Sequence, residues 1–130
     1  LVETIRLGAE LHDVGKIGMA GTPLYIPNEN EEEFKKGIRY RRNPEVADMG
    51  LALRSLYLTS KYLSLSGAEA QAIAYHDGWQ IDANNIVARK EEPLTLLLHW
   101  ADYWTAHIHE EGRELKDERD FYPLKHVNFA

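Results

Sequence analysis

The sequence LHDVGK at residues 11–16 ends the first predicted helix and determines how the rest of the chain is interpreted. Apolar residues recur at helical spacing over residues 2–11, and Gly15 is of a type that often terminates a helix. His12 and Asp13 therefore lie at a helix end. Neighbouring side chains on a continuous helix point about 100° apart, but at a helix end they can converge on one ion.

The sequence LLLHWAD at residues 96–102 carries a second signal, far downstream of the first. Asp102 lies within the most apolar predicted helix of the chain. A carboxylate in such surroundings is costly to bury unless it is paired or bound to a metal. Together the two signals make His12, Asp13 and Asp102 candidate ligands of one divalent cation.

Helical patterns dominate the chain and alternating strand patterns are scarce, so the sequence predicts an all-α fold in a single domain, residues 1–130. Irregular structure is expected at 21–27, which contains two prolines, and a basic turn at 39–44. Ser66 and Glu69 have the spacing of a capping box. The predicted helices cover residues 1–12, a short segment capped by Asn28 or Asn30 and extending to Lys36, residues 45 or 49 to 63, 67–76 and 94–109.

Composition excludes several classes of partner. The net charge is −6, which argues against electrostatic capture of duplex nucleic acid or of an anionic membrane. The chain has no cysteine, so only oxygen and imidazole ligands are available for a metal. No apolar run is long enough to span a bilayer and no secretory signal is visible, so we expect a cytoplasmic protein.

The His-Asp pair and the late Asp resemble the signature of the HD-domain metal-dependent phosphohydrolases, a superfamily of helical bundles. The resemblance extends from Leu11 to about Ala106. It implies a bundle of about five or more helices joined by irregular loops, with His12, Asp13 and Asp102 as metal ligands. The family's first ligand is a His on a preceding helix. We expect that His to lie upstream of Leu1, since the other histidines of the chain all come later.

The resemblance also implies an activity, the hydrolysis of a nucleotide or related phosphate ester by metal-activated water. The cofactor is then a divalent ion, Mn, Fe, Co, Ni, Zn or Mg. Lys16 follows the His-Asp pair where family members often carry a residue that contacts substrate. The sequence HDG at residues 76–78 resembles a later His-bearing helix end, so His76 and Asp77 are predicted catalytic residues. Lys16 and Arg54 are predicted to bind the substrate phosphate.

Each of these side chains also has a plain structural interpretation. Lys16 can cap a helix, Arg54 can be a surface residue, and His76 with Asp77 can end a helix. The branch of the family with two metals and a Gly-Tyr-Pro signature is disfavoured, because no His lies between His12 and His76 and residues 79–81 read WQI.

Two alternatives to an enzyme stay open. A catalytically degenerate HD domain would bind a nucleotide or a protein partner without turnover. A plain helical interaction module would bind no metal. The apolar sequence FYPL at residues 121–124 makes a homodimer plausible.

Overall fold

A computed structural model describes residues 1–113 of the chain. Helices form most of the structure, with short turns of other helical types between them. The α-helices are α1 (Val2–Leu11), α2 (Glu31–Lys35), α3 (Leu51–Ser60), α4 (Gly67–Tyr75) and α5 (Pro93–Trp104). Two 3₁₀ turns cover Val14–Ile17 and Asp82–Val87, and a π-helical turn, Thr105–Glu110, continues α5.

The structure also contains two small antiparallel sheets, so the all-α prediction was incomplete. Strand β1 (Gly18–Met19) pairs with β2 (Thr22–Pro23), and β3 (Tyr25–Pro27) pairs with β4 (Tyr40–Arg42). Prolines rightly excluded a helix here, but proline is tolerated at strand edges and ends. Strands of two or three residues are too short to show the alternation by which strands are predicted.

The core lies where α4 packs against α3 on one side and against α5 on the other. Helix α1 contacts both α4 and α5 near the same place. Ala72 and Ile73 of α4 are fully buried, and Leu58 of α3 and Leu98 of α5 are also buried. The C-terminal ends of α1 and α4 thereby come close to the middle of α5.

Two predicted helix caps are confirmed. The Asn30 side chain accepts hydrogen bonds from the backbone N–H groups of Glu32 and Glu33, and it caps α2. Ser66 and Glu69 form the reciprocal bonds of a capping box at the start of α4. These local side chain to backbone bonds are readable from sequence because they depend only on spacing.

Helix α3 is shorter than predicted, because the residues before it are held by side chains in an irregular conformation. Asn43 bonds to the backbone of Pro23 and Glu45, and Arg54 bonds to the carbonyls of Ala47 and Met49. These bonds are long-range or cross an irregular segment, so helical periodicity does not reveal them.

Within residues 1–113 no helix has both the length and the apolarity needed to cross a membrane. The apolar sequence at 121–124, and with it the basis of the predicted homodimer, lies outside the described residues.

Candidate metal centre

Three helices bring His12, His76 and Asp102 together. His12 and His76 are the C-cap residues of α1 and α4, and Asp102 lies in the last turn of α5. One nitrogen or oxygen from each side chain lies within 4.8 Å of those from the other two. Among residues 1–113 this is the group of His, Asp and Glu side chains whose geometry can hold a metal ion.

Both histidines are oriented by the helix they terminate. His12 Nδ1 lies 2.9 Å from the carbonyl oxygen of Ala9, and His76 Nδ1 lies 2.8 Å from that of Ile73. A carbonyl oxygen only accepts, so Nδ1 of each ring carries the proton and donates it. The Nε2 atom of each neutral ring is then an unprotonated nitrogen, the form that ligates metals.

These two Nε2 atoms face carboxylate oxygens. His12 Nε2 lies 3.3 Å from Asp102 Oδ1 and 3.6 Å from Asp13 Oδ2. His76 Nε2 lies 3.4 Å from Asp77 Oδ1 and 3.9 Å from Asp13 Oδ1. Lone pairs facing lone pairs repel, so these contacts need a proton or a cation between them.

A divalent cation would satisfy both Nε2 atoms and the facing carboxylate oxygens without a proton on either ring. The two imidazole rings meet edge to face with centroids 4.7 Å apart, so protonating both would bring two positive charges together. His76 is also almost completely buried, with 2% of its surface exposed. A charge at that depth needs a bound partner.

The spacing and the chemistry of the donors fit a first-row transition metal. Ligands at about 2.1 Å from a tetrahedral ion lie about 3.4 Å apart, close to the 3.3 Å between His12 Nε2 and Asp102 Oδ1. All separations in the group are within 4.8 Å, so reaching a spacing of about 3.4 Å shortens the widest of them by at most about 1.4 Å. Two imidazoles with a carboxylate suit Zn²⁺, Co²⁺, Fe²⁺, Ni²⁺ or Mn²⁺ better than Mg²⁺.

Asp13 lies at the margin of the group and connects it to Lys16. The Lys16 ammonium, carried on the 3₁₀ turn after Asp13, donates a hydrogen bond to Asp13 Oδ2. This bond raises the pKa of Lys16, and the negative charges of Asp13, Asp102 and Glu110 act in the same direction. Lys16 therefore carries a positive charge at neutral pH at the edge of the cluster, with most of its side chain exposed.

The turn that carries His76 and Asp77 is held by His99. His99 Nδ1 donates to the carbonyl oxygen of His76 at 2.7 Å. Gly78 follows with φ +79°, and a Cβ atom there would lie 2.2 Å from the His99 ring. Glycine is thus required at this position both by conformation and by space. His99 therefore supports the backbone of the turn.

Arg54, predicted to bind substrate phosphate, is instead buried beneath the His12–Lys16 segment. Only 1% of its surface is exposed, and its terminal nitrogens donate to the carbonyl oxygens of Gly15, Ala47 and Met49. Ser55 beside it accepts a hydrogen bond from the Gly15 N–H at 2.8 Å. We therefore assign Arg54 to support of this segment and not to substrate binding.

The sequence placed His76 near the site but not among the possible ligands. A signal for it was present, because HDVG at residues 12–15 and HDG at 76–78 are both His-Asp pairs that end a helix just before a glycine. Two segments of the same type, brought against α5, supply two equivalent imidazoles. The expectation that no later histidine enters the ligand set does not agree with this geometry.

Comparison with protein-family models, with curated proteins and with solved structures found no match to the chain.

Proposed function

We propose that this protein is a metal-dependent hydrolase of small phosphate esters, with nucleotides as the leading substrate class. The observation that carries the proposal is the pair of imidazole Nε2 atoms that face carboxylates where α1, α4 and α5 meet. The resemblance of the two sequence signals to HD-domain phosphohydrolases points to the same chemistry.

His12, His76 and Asp102 would hold the cation, with Asp13 as a further ligand. A divalent ion held there supplies Lewis acidity, which activates water as a nucleophile and withdraws charge from a phosphoryl group. With His12, His76 and Asp102 alone a tetrahedral ion keeps one position open for water, and with Asp13 as well an open position requires five or six ligands around the ion. Asp13 is already bonded to Lys16, so it can bind the ion only through its remaining lone pairs.

Lys16 and Asp77 border the cluster and have chemistry suited to the other tasks. The Lys16 ammonium can hold a phosphoryl oxygen or donate a proton to the leaving oxygen. The Asp77 carboxylate is about half exposed and lies 3.4 Å from His76 Nε2, so it can accept the proton that the attacking water releases. In this arrangement His76 acts as a ligand, and Asp77 takes the role of general base.

The test is phosphate release from nucleoside monophosphates and from β-glycerol phosphate with Mn²⁺, Co²⁺ or Zn²⁺ added. We expect Asp102→Ala to lower the rate by about a thousand-fold, roughly 4 kcal/mol of transition-state stabilisation. Asp48→Asn is the matched control, because Asp48 is an exposed carboxylate paired with Arg42 away from the cluster.

Unchanged release in Asp102→Ala would show that the site is elsewhere. Tight metal binding without release of phosphate from any ester would favour the degenerate binding domain. Absence of metal binding would favour the helical interaction module.

A further inference from the structure

A cavity of about 530 Å³ lies next in the chain to the cluster of His12, His76 and Asp102. It is formed by the end of α4, the second 3₁₀ turn and the first half of α5. Its volume is in the range typical of small-molecule sites. Tyr75, Trp79 and Trp100 border it, together with Thr95 and Leu96 of α5. Most of its walls are therefore aromatic or apolar.

Two indoles at this cavity are exposed beyond what packing explains. Trp79 is 68% exposed and Trp100 is 64% exposed. Large aromatic side chains normally bury most of their surface, and exposed groups of them mark binding sites. Both indoles border the same cavity, so a planar ring that enters it can stack against them.

The rim of the cavity adds polar groups of both hydrogen-bonding types. Asn85 and Arg89 offer donors, and Glu91 offers acceptors. Arg89 has φ +65°, a left-handed conformation that residues other than glycine rarely adopt. Such conformations concentrate at functional sites. Within residues 1–113 no carboxylate lies within ion-pair distance of the Arg89 guanidinium.

The cavity and the metal cluster share two structural elements. Gly78 and Trp79 of the cavity wall directly follow His76 and Asp77 of the cluster. His99, which also lines the cavity, is three residues from Asp102 on α5, about 5 Å along the helix axis. The cavity is therefore adjacent to the cluster both on α5 and on the turn after α4.

We propose that this cavity binds the base of a nucleoside phosphate, with Trp79 and Trp100 as stacking faces and Asn85, Arg89 and Glu91 as the groups that contact the base edge. The proposal rests on the proposed function in placing the phosphate at the cluster. It adds the place where the base of the nucleotide binds, and it explains why the exposed aromatics are next to the site.

Binding is the first test, because it does not depend on turnover. The full chain is titrated with adenosine 5′- and guanosine 5′-monophosphate in EDTA, and intrinsic fluorescence reports on the tryptophans. Two of the three tryptophans of the chain border the cavity, so a bound base should quench the emission. We expect Trp100→Ala to weaken binding of the better nucleotide by between about 5-fold and about 100-fold.

Trp104→Ala is the matched control, because Trp104 is a partly exposed tryptophan of the same helix that does not line the cavity. It should leave affinity unchanged. Arg89→Ala should alter the ratio of the two affinities, because removing a donor changes recognition of the base edge.

The outcomes separate this proposal from the proposed function. Nucleotide binding that depends on Trp100 supports the base site even if no phosphate is released. Release of phosphate from β-glycerol phosphate without any detectable nucleotide binding in EDTA overturns the base site while the hydrolase stands. Binding that is equal in Trp100→Ala and Trp104→Ala also overturns it, as does capture of a peptide segment in preference to nucleotides.

Discussion

Arg54 and His76 are both polar side chains buried almost completely, but their surroundings differ in one respect. The terminal nitrogens of Arg54 donate to backbone carbonyl oxygens, so they find acceptors inside the protein. His76 has one nitrogen bonded to the Ile73 carbonyl, and the other faces carboxylate oxygens. Apart from the Arg54 Nε atom, which has no hydrogen-bond partner among the described residues, the first group is closed, and the second is left open to a cation.

Burial of a polar group is therefore not by itself a sign of function. A buried donor matched by acceptors stabilises the fold. A buried acceptor matched by acceptors destabilises it unless something binds. The two groups are also joined, since Gly15 bonds to both Arg54 and Ser55 and follows His12 by three residues.

The largest effect on stability is expected at the closed group. Replacing Arg54 with Met should lower the free energy of unfolding by about 3 kcal/mol, because three carbonyl oxygens lose their donors in a buried region. Chemical denaturation measures it. Arg39→Met, at an exposed arginine of the loop before β4, should change the free energy of unfolding by less than about 0.5 kcal/mol. An equal loss in the free energy of unfolding for the two variants would show that the buried hydrogen bonds of Arg54 do not stabilise the fold.

The open group should respond to metal instead. Zn²⁺ or Co²⁺ at a hundred times its Kd should raise the free energy of unfolding by about 2.7 kcal/mol. Asp102→Ala should abolish this gain, whereas without metal it should leave the stability unchanged or higher, because it removes a facing acceptor. Thermal unfolding with and without the ion measures both. His109→Gln, at an exposed histidine just after α5, is the control and should keep the gain.

The His12–Lys16 segment, which contacts both groups, allows a third prediction. A Cβ atom at Gly15 would lie 2.6 Å from the carbonyl oxygen of Leu51 and 2.8 Å from the Ser55 nitrogen. Gly15→Ala should therefore cost about 2 kcal/mol and also weaken metal binding, because α3 and the His12–Lys16 segment must separate. In Gly67→Ala the added methyl meets nothing, so that variant should be neutral or slightly stabilising. Loss of stability with intact metal affinity would show that the two groups are independent.

The smallest effect is expected at a closed pair on the surface, the capping box of α4. Hydrogen bonds from the Ser66 backbone and hydroxyl lower the pKa of Glu69 below its usual value of 4.5. A lowered pKa contributes stability above pH 4.5 that disappears as the pH falls through the folded-state pKa. Glu69→Gln should therefore be slightly less stable than the wild type at pH 7 and equal to it at pH 2. A gap between their melting temperatures that persists at pH 2 would contradict this assignment.

The helical elements and their caps were predictable from the sequence because they depend on local spacing. The periodic apolar residues of α1 and α5, Asn30 at α2 and the Ser66–Glu69 pair are all contained within a few residues. The two small sheets were not predicted, because each pairing joins strands that are too short to show a pattern.

The candidate site was predicted in part for the same reason. His12, Asp13 and Asp102 were identified by adjacency and by an acid in an apolar helix. The second His-Asp pair before a glycine indicated His76 as a candidate, but its place among the ligands depends on how α4 packs between α3 and α5, which the sequence spacing does not give. Arg54 was predicted to bind phosphate because the sequence around it is apolar and helical. The same sequence pattern fits an arginine that faces a substrate phosphate and one that donates to buried carbonyl oxygens.

The placement of His12 and His76 at helix C-termini has one more consequence. The peptide dipoles of α1 and α4 sum to a partial negative charge at these ends, equivalent to about half an elementary charge for each helix. Two such ends converge on the cluster and add to the field of the carboxylates without adding any titratable group. Any cation that binds at the cluster would therefore be attracted in part by the backbone, where no side-chain substitution removes the attraction.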